Sequence, residues 1–280
     1  MKTVLVTTDL STNSKSGIRF AMQLALQGNY NLVFYYVVEV MKPTSWNDQR
    51  FRNFEKDKLS EAEDRLAAFV QKVFQASGKV AGNFKYKVET GTRIAESTIA
   101  AAKAVKADLI CLGTRGGGAV KKLIGTVATD LLTTSPVPVI VVPERYRVRP
   151  VKTLFYSTDM ESLSTELKKV QLFAQTLKAR TEVYYYDYLL MEPLNVKKME
   201  KRVEKFKAPG INFNFRRLSV EETLAKHINK DVIKDKPSVL VLFPKQNRSW
   251  FEKLFLSSKA AELALKPNVP LLVFRKNKKT

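Results

Sequence analysis

The residues best suited to do chemistry form one glycine-rich stretch, Gly113-Thr-Arg-Gly-Gly-Gly-Ala-Val-Lys-Lys-Leu-Ile-Gly-Thr-Val, ending at Val127. Glycines permit positive φ and let backbone N–H groups approach an anion closely. Gly125 and Thr126 stand just before an apolar helical pattern, so the N–H groups there would crown a helix N-terminus. Unsatisfied donors and the helix dipole both favour negative charge at such a point. Arg115, Lys121 and Lys122 add positive charge beside it. The chemistry implied is capture of a phosphate. Without a ligand, the same residues would make a flexible turn with a glycine N-cap; the apolar run at 107–112 just before the stretch favours the anion site.

A second candidate is Asp9, which ends the β-branched run 3–8. In an open parallel sheet, ligands sit outside the carboxyl ends of the strands, at a switch point in strand order. Asp9, the Val37 neighbourhood and residues 113–118 would all converge on that edge. Other chemistries find little material. His227 is the only histidine and lies in a helical stretch at 224–228, where a surface or packing role is expected. Cys111, the only cysteine, lies inside an apolar run and reads as a small buried hydrophobe. No His/Cys metal cluster, Ser-His-Asp arrangement or Gly-x4-Gly-Lys-[Ser/Thr] loop can be assembled. Asp9 and Asp130 are the acids nearest the glycine stretch, and either could support Mg²⁺ through water. No general base stands out, so binding is better supported than catalysis, with at most slow hydrolysis.

Positioning these residues requires strands that alternate with helices. Runs at 3–8, 32–38, 84–88, 107–112 and 137–142 read as strands, and helical periodicity covers residues 18–26, 54–76, 95–105 and 125–134. Residues 42–53 are polar, contain Pro43 and read as a loop. The pattern predicts right-handed βαβ crossovers and a parallel sheet covered on both faces. It then repeats: Val4-Leu-Val-Thr-Thr-Asp returns as Leu154-Phe-Tyr-Ser-Thr-Asp, which sets Asp159 150 residues after Asp9. Residues 31–38 return at 181–188 on that offset, 107–112 at 237–242 and 137–142 at 269–274. The expected fold class is α/β, as two tandem, open, mostly parallel five-stranded sheets. The domains are 1–146 and 150–280.

The formal net charge is +21, with +8 in residues 1–148 and +13 in the remainder. Such a field attracts nucleotides, nucleic acid and acidic surfaces. The charge is spread along helices and turns, and only residues 275–279 form a compact run, so nucleic acid is the less favoured partner. No window approaches the about 18 apolar residues of a membrane span. With one cysteine, a reducing compartment and hence the cytoplasm is expected.

The first half resembles the universal stress protein family, whose nucleotide-binding members carry Gly-x2-Gly-x9-Gly-[Ser/Thr] after the fourth strand. Gly113 and Gly116 match the opening pair, and Gly125-Thr126 match the closing pair. Eight residues separate Gly116 from Gly125, one fewer than the pattern asks for. The resemblance implies an adenine-nucleotide α-hydrolase-like fold that binds ATP, with or without Mg²⁺. It assigns Thr8-Asp9 to the adenine end of the ligand, Val37 to backbone reading of the base, and Gly113, Arg115, Gly116, Gly125, Thr126 and Val127 to the phosphates. Family members pair through their last strands, so a tandem chain is expected to form an intramolecular pseudo-dimer; whether two chains further associate stays open. In the second half the equivalent loop, from Phe243 onward, has no glycine. Phe243 and Trp250 would obstruct phosphate, Asp187 would replace Val37, and Asp159 would survive without its partners in the motif. The reading is a stress-response regulatory or binding protein with a degenerate second domain. Its rival is a protein that binds no nucleotide and docks an acidic partner through the basic second half.

Overall fold

β-Branched and aliphatic runs form strands buried on both faces, as a sheet covered by helices on either side requires. In β1 (Thr3–Thr7) the residues Val4, Leu5 and Val6 are completely buried, and β4 (Leu109–Gly113) is its equally apolar neighbour. The computed structural model describes residues 2–78, 82–114, 125–188, 193–244 and 268–276. Among these the chain divides into two compact units, with the boundary between Arg149 and Pro150.

The first unit adds α1 (Lys15–Gly28), β2 (Asn31–Val38), α2 (Asp48–Ser77), β3 (Phe84–Thr90), α3 (Ile94–Ala104), α4 (Thr126–Thr134) and β5 (Val139–Val142). Its strands run parallel in the order β3-β2-β1-β4-β5. The chain moves outward from β1 to β3, then returns across to β4. Right-handed crossovers therefore send the first two helices to one face and the next two to the other. Accordingly α1 packs with α2, and α3 with α4. The reversal lies between β1 and β4, which opens a crevice at their carboxyl ends. The outer strand β3 alternates apolar residues with Lys85 and Lys87, charges that blunt an exposed edge.

The second unit consists of β6 (Thr153–Thr158), α5 (Leu163–Thr176), β7 (Arg180–Asp187), α6 (Pro193–Val203), a 3₁₀ turn (Glu204–Phe206), β8 (Ile211–Arg217), α7 (Leu224–Asp235), β9 (Val239–Leu242) and β10 (Leu271–Val273). Its parallel strands follow the corresponding order, β10-β9-β6-β7-β8. The helix between the second and third strands has shrunk from 30 residues in α2 to 11 in α6. That shortening accounts for the smaller repeat offset late in the chain.

Two expectations need correction. The loop expected at 42–53 ends at Asn47, because Asn47 accepts the Arg50 N–H at 2.8 Å and caps a helix that begins at Asp48. The first turns of α2 are solvent-facing and polar, so they lack the apolar periodicity that announces a helix. The repeat also slips by one residue at its second strand. Thr3 pairs with Asn31, whereas Thr153 pairs with Arg180. Tyr186, not Asp187, therefore stands where Val37 does. A one-residue slip exchanges the faces of a strand, and burial agrees: Val37 and Tyr186 are both buried, whereas Asp187 is half-exposed and accepts the Tyr185 hydroxyl at 2.7 Å.

Replacing Asn47 with Ala should lower unfolding free energy by about 1 kcal/mol through loss of the cap, and Asn47→Asp should retain most of it. Urea denaturation of both variants checks the assignment.

Candidate functional site

The carboxyl ends of β1, β2 and β4 border an open cleft, the place where ligands sit in a sheet of this topology. Its lining brings together Thr8, Asp9, Val37, Gly113, Gly125, Thr126 and Val127 from the sequence reading. Arg115 and Gly116 lie outside the described residues, as do Lys121, Lys122 and the eight-residue spacing before Gly125. Asp130, the other acid considered for Mg²⁺, is exposed on α4 and does not line the cleft. Among the described residues, no group of three His, Cys, Asp or Glu side chains could hold a metal ion.

Asp9 sits in a turn built from hydroxyl groups. The Ser11 N–H donates to Asp9 Oδ1 at 3.0 Å, and the Leu10 N–H donates to Thr8 Oγ1 at 3.0 Å. Leu10 adopts φ 60°, the left-handed conformation that closes the turn. The buried hydroxyls of Thr8 and Ser14 lie 2.7 Å apart, and Ser14 Oγ donates to the Ser11 carbonyl at 2.8 Å. Ser14 directly precedes α1, but its side chain makes no cap bond to that helix and instead ties this turn together. Partial burial works against ionisation of Asp9. The Ser11 side-chain and backbone bonds and the Ser14 hydroxyl outweigh it, holding the carboxyl below its ordinary range. Asp9 is thus a stable anion that still reaches solvent.

A step in the sheet shapes the neighbouring wall. Pairing of β1 with β2 ends at Thr7 opposite Tyr35, and the Thr8 N–H donates to the Tyr35 carbonyl at 3.0 Å. β2 continues through Tyr36, Val37 and Val38, paired there with β3. Past the end of β1, Val37 borders the cleft at 6% exposure.

The opposite wall is the beginning of α4. Gly125 is its N-cap and has no side chain to satisfy the first turn. Thr126, Val127 and Ala128 occupy that turn and line the cleft. Their N–H groups precede the first intrahelical bond, Thr129 N–H to the Gly125 carbonyl at 2.9 Å, and so are the donors that a helix N-terminus leaves without an intrahelical partner. Gly125 itself has φ −65°. Its contribution is small size at the helix entrance, since positive φ is not used there.

Gly113 acts by close packing. A Cβ there would lie 2.5 Å from the Asn13 carbonyl oxygen and 2.7 Å from Ser16 Oγ. Gly17 meets it from the other side, where a Cβ would lie 2.7 Å from Gly113 N. The end of β4 therefore presses directly on the first turn of α1. Cys111 lies behind this contact, fully buried, with its thiol donating to the Gly17 carbonyl at 3.4 Å and pushed well above its usual pKa by burial. It is a packing residue.

Sequence reasoning missed Ser11, Asn13, Tyr36, Ile94 and Thr114 among the lining residues. The Ser-Thr-Asn-Ser run after Leu10 was a usable signal for the first two. Ile94 enters from the start of α3, which only the tertiary fold brings near.

In the second unit the corresponding place is filled. Phe243 follows β9 as Gly113 ends β4, and it stacks on Phe274 with centroids 5.0 Å apart and planes 10° from parallel. Tyr156 meets Phe243 edge-on at 5.5 Å. Asp159, the counterpart of Asp9, is ion-paired with Lys276. Trp250 lies outside the described residues. His227 is half-buried, with Nε2 accepting the Ser219 N–H at 3.2 Å, a packing role.

A model of the universal stress protein family matches residues 1–143. Among solved structures, a universal stress protein from Archaeoglobus fulgidus superposes with a TM-score of 0.70 at 15% identity, over 98% of both chains. A functionally unknown protein from Pseudomonas aeruginosa gives a TM-score of 0.60 at 14% identity, over 98% of this chain and 92% of that one. At these identities the likeness is one of fold. Among curated proteins, none matches the chain in sequence. No helix among the described residues is long and apolar enough to cross a membrane.

Gly113→Ala should destabilise the chain by about 1–3 kcal/mol through overpacking against Asn13 and Ser16. Gly125→Ala, at an ordinary backbone conformation, should cost well under half of that. Denaturant unfolding of the pair distinguishes a packing glycine from one placed at an open entrance.

Proposed function

The chain belongs to the universal stress protein family, and we propose that its first unit binds ATP and acts through the bound state as a regulatory or binding protein of the stress response. The observation that carries this reading is one cleft with two different walls. On one side is a fixed carboxylate beside the exposed end of β2; on the other is a helix N-terminus without a side-chain cap. An adenine nucleoside polyphosphate has matching ends: a base and ribose rich in hydrogen-bonding groups, and a polyanion.

Asp9 would accept hydrogen bonds from the nucleoside end, and Val37 would line the base. Gly125, Thr126 and Val127 would direct backbone N–H groups at the phosphates, with Arg115 and Gly116 joining them as the family pattern implies. Apolar Val37, Ile94 and Leu112 supply the hydrophobic floor that a flat ring needs. Asp9 is the acid on the cleft wall, and a cation bound with the phosphates would be held largely by the nucleotide itself. The fully buried thiol of Cys111 fits a reducing compartment, and the reading places the protein in the cytoplasm.

Titration calorimetry of the nucleotide-stripped protein with ATP, with and without Mg²⁺, should give one site per chain. Gly125→Trp should abolish that heat; its extended backbone conformation carries no positive-φ penalty for the substitution, and the melting temperature of the variant checks that the fold is retained. Heat that survives in Gly125→Trp would put the ligand elsewhere. No heat in the parent protein would favour the reading in which the basic second half docks an acidic partner.

Asp9→Ala should weaken binding about tenfold or more, the value of a hydrogen bond to a charged group. The carboxyl's pKa is lowered in the folded protein, so its ionised form persists as pH falls past the ordinary carboxylate range. The ratio of parent to Asp9→Ala affinity should therefore be constant from about pH 8 to about pH 5. A ratio that declines across that window would contradict the role given to Asp9.

A further inference from the structure

The turn that carries Asp9 is reproduced in the second unit. Met160 has φ 63°, its N–H donates to Thr158 Oγ1 at 3.0 Å, and the Glu161 N–H donates to Asp159 Oδ1 at 3.0 Å. What differs is the surroundings. Strand registers align Val6 with Tyr156 and Glu144 with Lys276, and the repeat aligns Ser16 with Glu166. A carboxylate thus stands where the first unit has the Ser16 hydroxyl, and an ammonium where it has Glu144.

Lys276 Nζ donates to Asp159 Oδ2, with Glu161 Oε2 at 3.4 Å and Glu166 Oε1 at 3.7 Å. The Tyr156 hydroxyl donates to the other oxygen of Glu166 at 2.5 Å. Lys276 is 8% exposed and Glu166 4%. Lysine and glutamate are rarely so buried unless paired. Arg202 on α6 closes over the turn by donating to the Met160 carbonyl at 3.0 Å.

We propose that Lys276 is the resident ligand of the second unit: its ammonium occupies the carboxylate that corresponds to Asp9 and keeps this unit closed without a nucleotide. The lysine follows β10, so the same ion pair fastens the C-terminal strand to the β6–α5 turn. Among the described residues Lys276 lies against all three carboxylates, so its removal leaves like charges facing one another in a partly desolvated place. The groups around it are Tyr156 on β6, Asp159 and Glu161 in the turn, Glu166 on α5, Tyr185 on β7 and Arg202 on α6. Burial raises the Glu166 pKa, against the opposing effects of Tyr156 and Lys276. Without Lys276 that carboxyl rises further. The deficit is then present above its pKa and disappears as pH falls through it.

The test is thermal unfolding of the full chain at about pH 8 and about pH 5.5 for Lys276→Met, Glu166→Gln and the double variant. Lys276→Met should lose about 5–10 °C at the higher pH and recover most of it at the lower. Glu166→Gln in the same chain should restore stability at the higher pH, since neutral groups of similar shape then replace the pair. In Lys276→Ala, added propylammonium should raise the melting temperature where tetramethylammonium does not. A loss equal at both pH values, no loss at all, or a double variant no better than Lys276→Met would overturn the proposal and leave Lys276 as packing. Should Lys276→Met fail to fold, a folded double variant supports the ion-pair role and an unfolded one refutes it.

Discussion

The candidate site depends on a contact too close for a side chain. Gly17 and Gly113 bring the end of β4 against the start of α1 with less than a methyl group of space. The contact holds the Asn13–Ser16 turn in place through Ser16, whose hydroxyl donates to the Asn13 carbonyl at 3.0 Å and the Val142 carbonyl at 3.2 Å. The hydroxyl cluster that orients Asp9 is built on that turn. The aspartate therefore owes its position to close packing between Gly17, which does not line the cleft, and Gly113 on its wall. Close packing transmits such constraints because interiors relax little.

The second unit shows what happens when the same frame loses that contact. Leu167 and Phe243 stand where the glycines were, both buried, and Phe243 stacks on Phe274. The turn geometry survives because it needs only local bonds, from Thr158 and from Asp159 itself. Its chemistry does not survive, because an ammonium already sits on the carboxylate. The shortened helix α6 contributes as well, placing Arg202 over the turn. One topology thus carries an open cleft in one unit and an ion-paired turn in the other.

The +21 charge takes a different meaning once residues are placed. Lys85 and Lys87 guard an edge strand, Lys226 and Lys230 hold Glu222, and Lys276 is internal. These are structural uses of positive charge. They show why net charge bears on long-range attraction without identifying a site.

Much of the fold was legible in the residues alone. Buried parallel strands carry a composition that survives any context, and the alternation with helical periodicity left an open α/β sheet as the natural reading. The glycines stood out because phosphate capture and turn formation restrict residue type at fixed short spacings, and Asp9 and the Val37 neighbourhood because they end strands at the carboxyl edge of an open parallel sheet. Chain entry into α2 was not, since a solvent-facing helix start has no apolar period to read. The register of β7 was not either: neighbouring tyrosines fit two alignments, and only hydrogen-bonded pairing with β6 distinguishes them. Lys276 was out of reach for a deeper reason. It lies 117 residues from Asp159, and a lysine in a basic tail looks the same whether solvated or buried. Sequence determined the local elements and the chemistry available to them. Tertiary structure decided which distant charges meet, because burial energies depend on neighbours that only the completed sheet brings together.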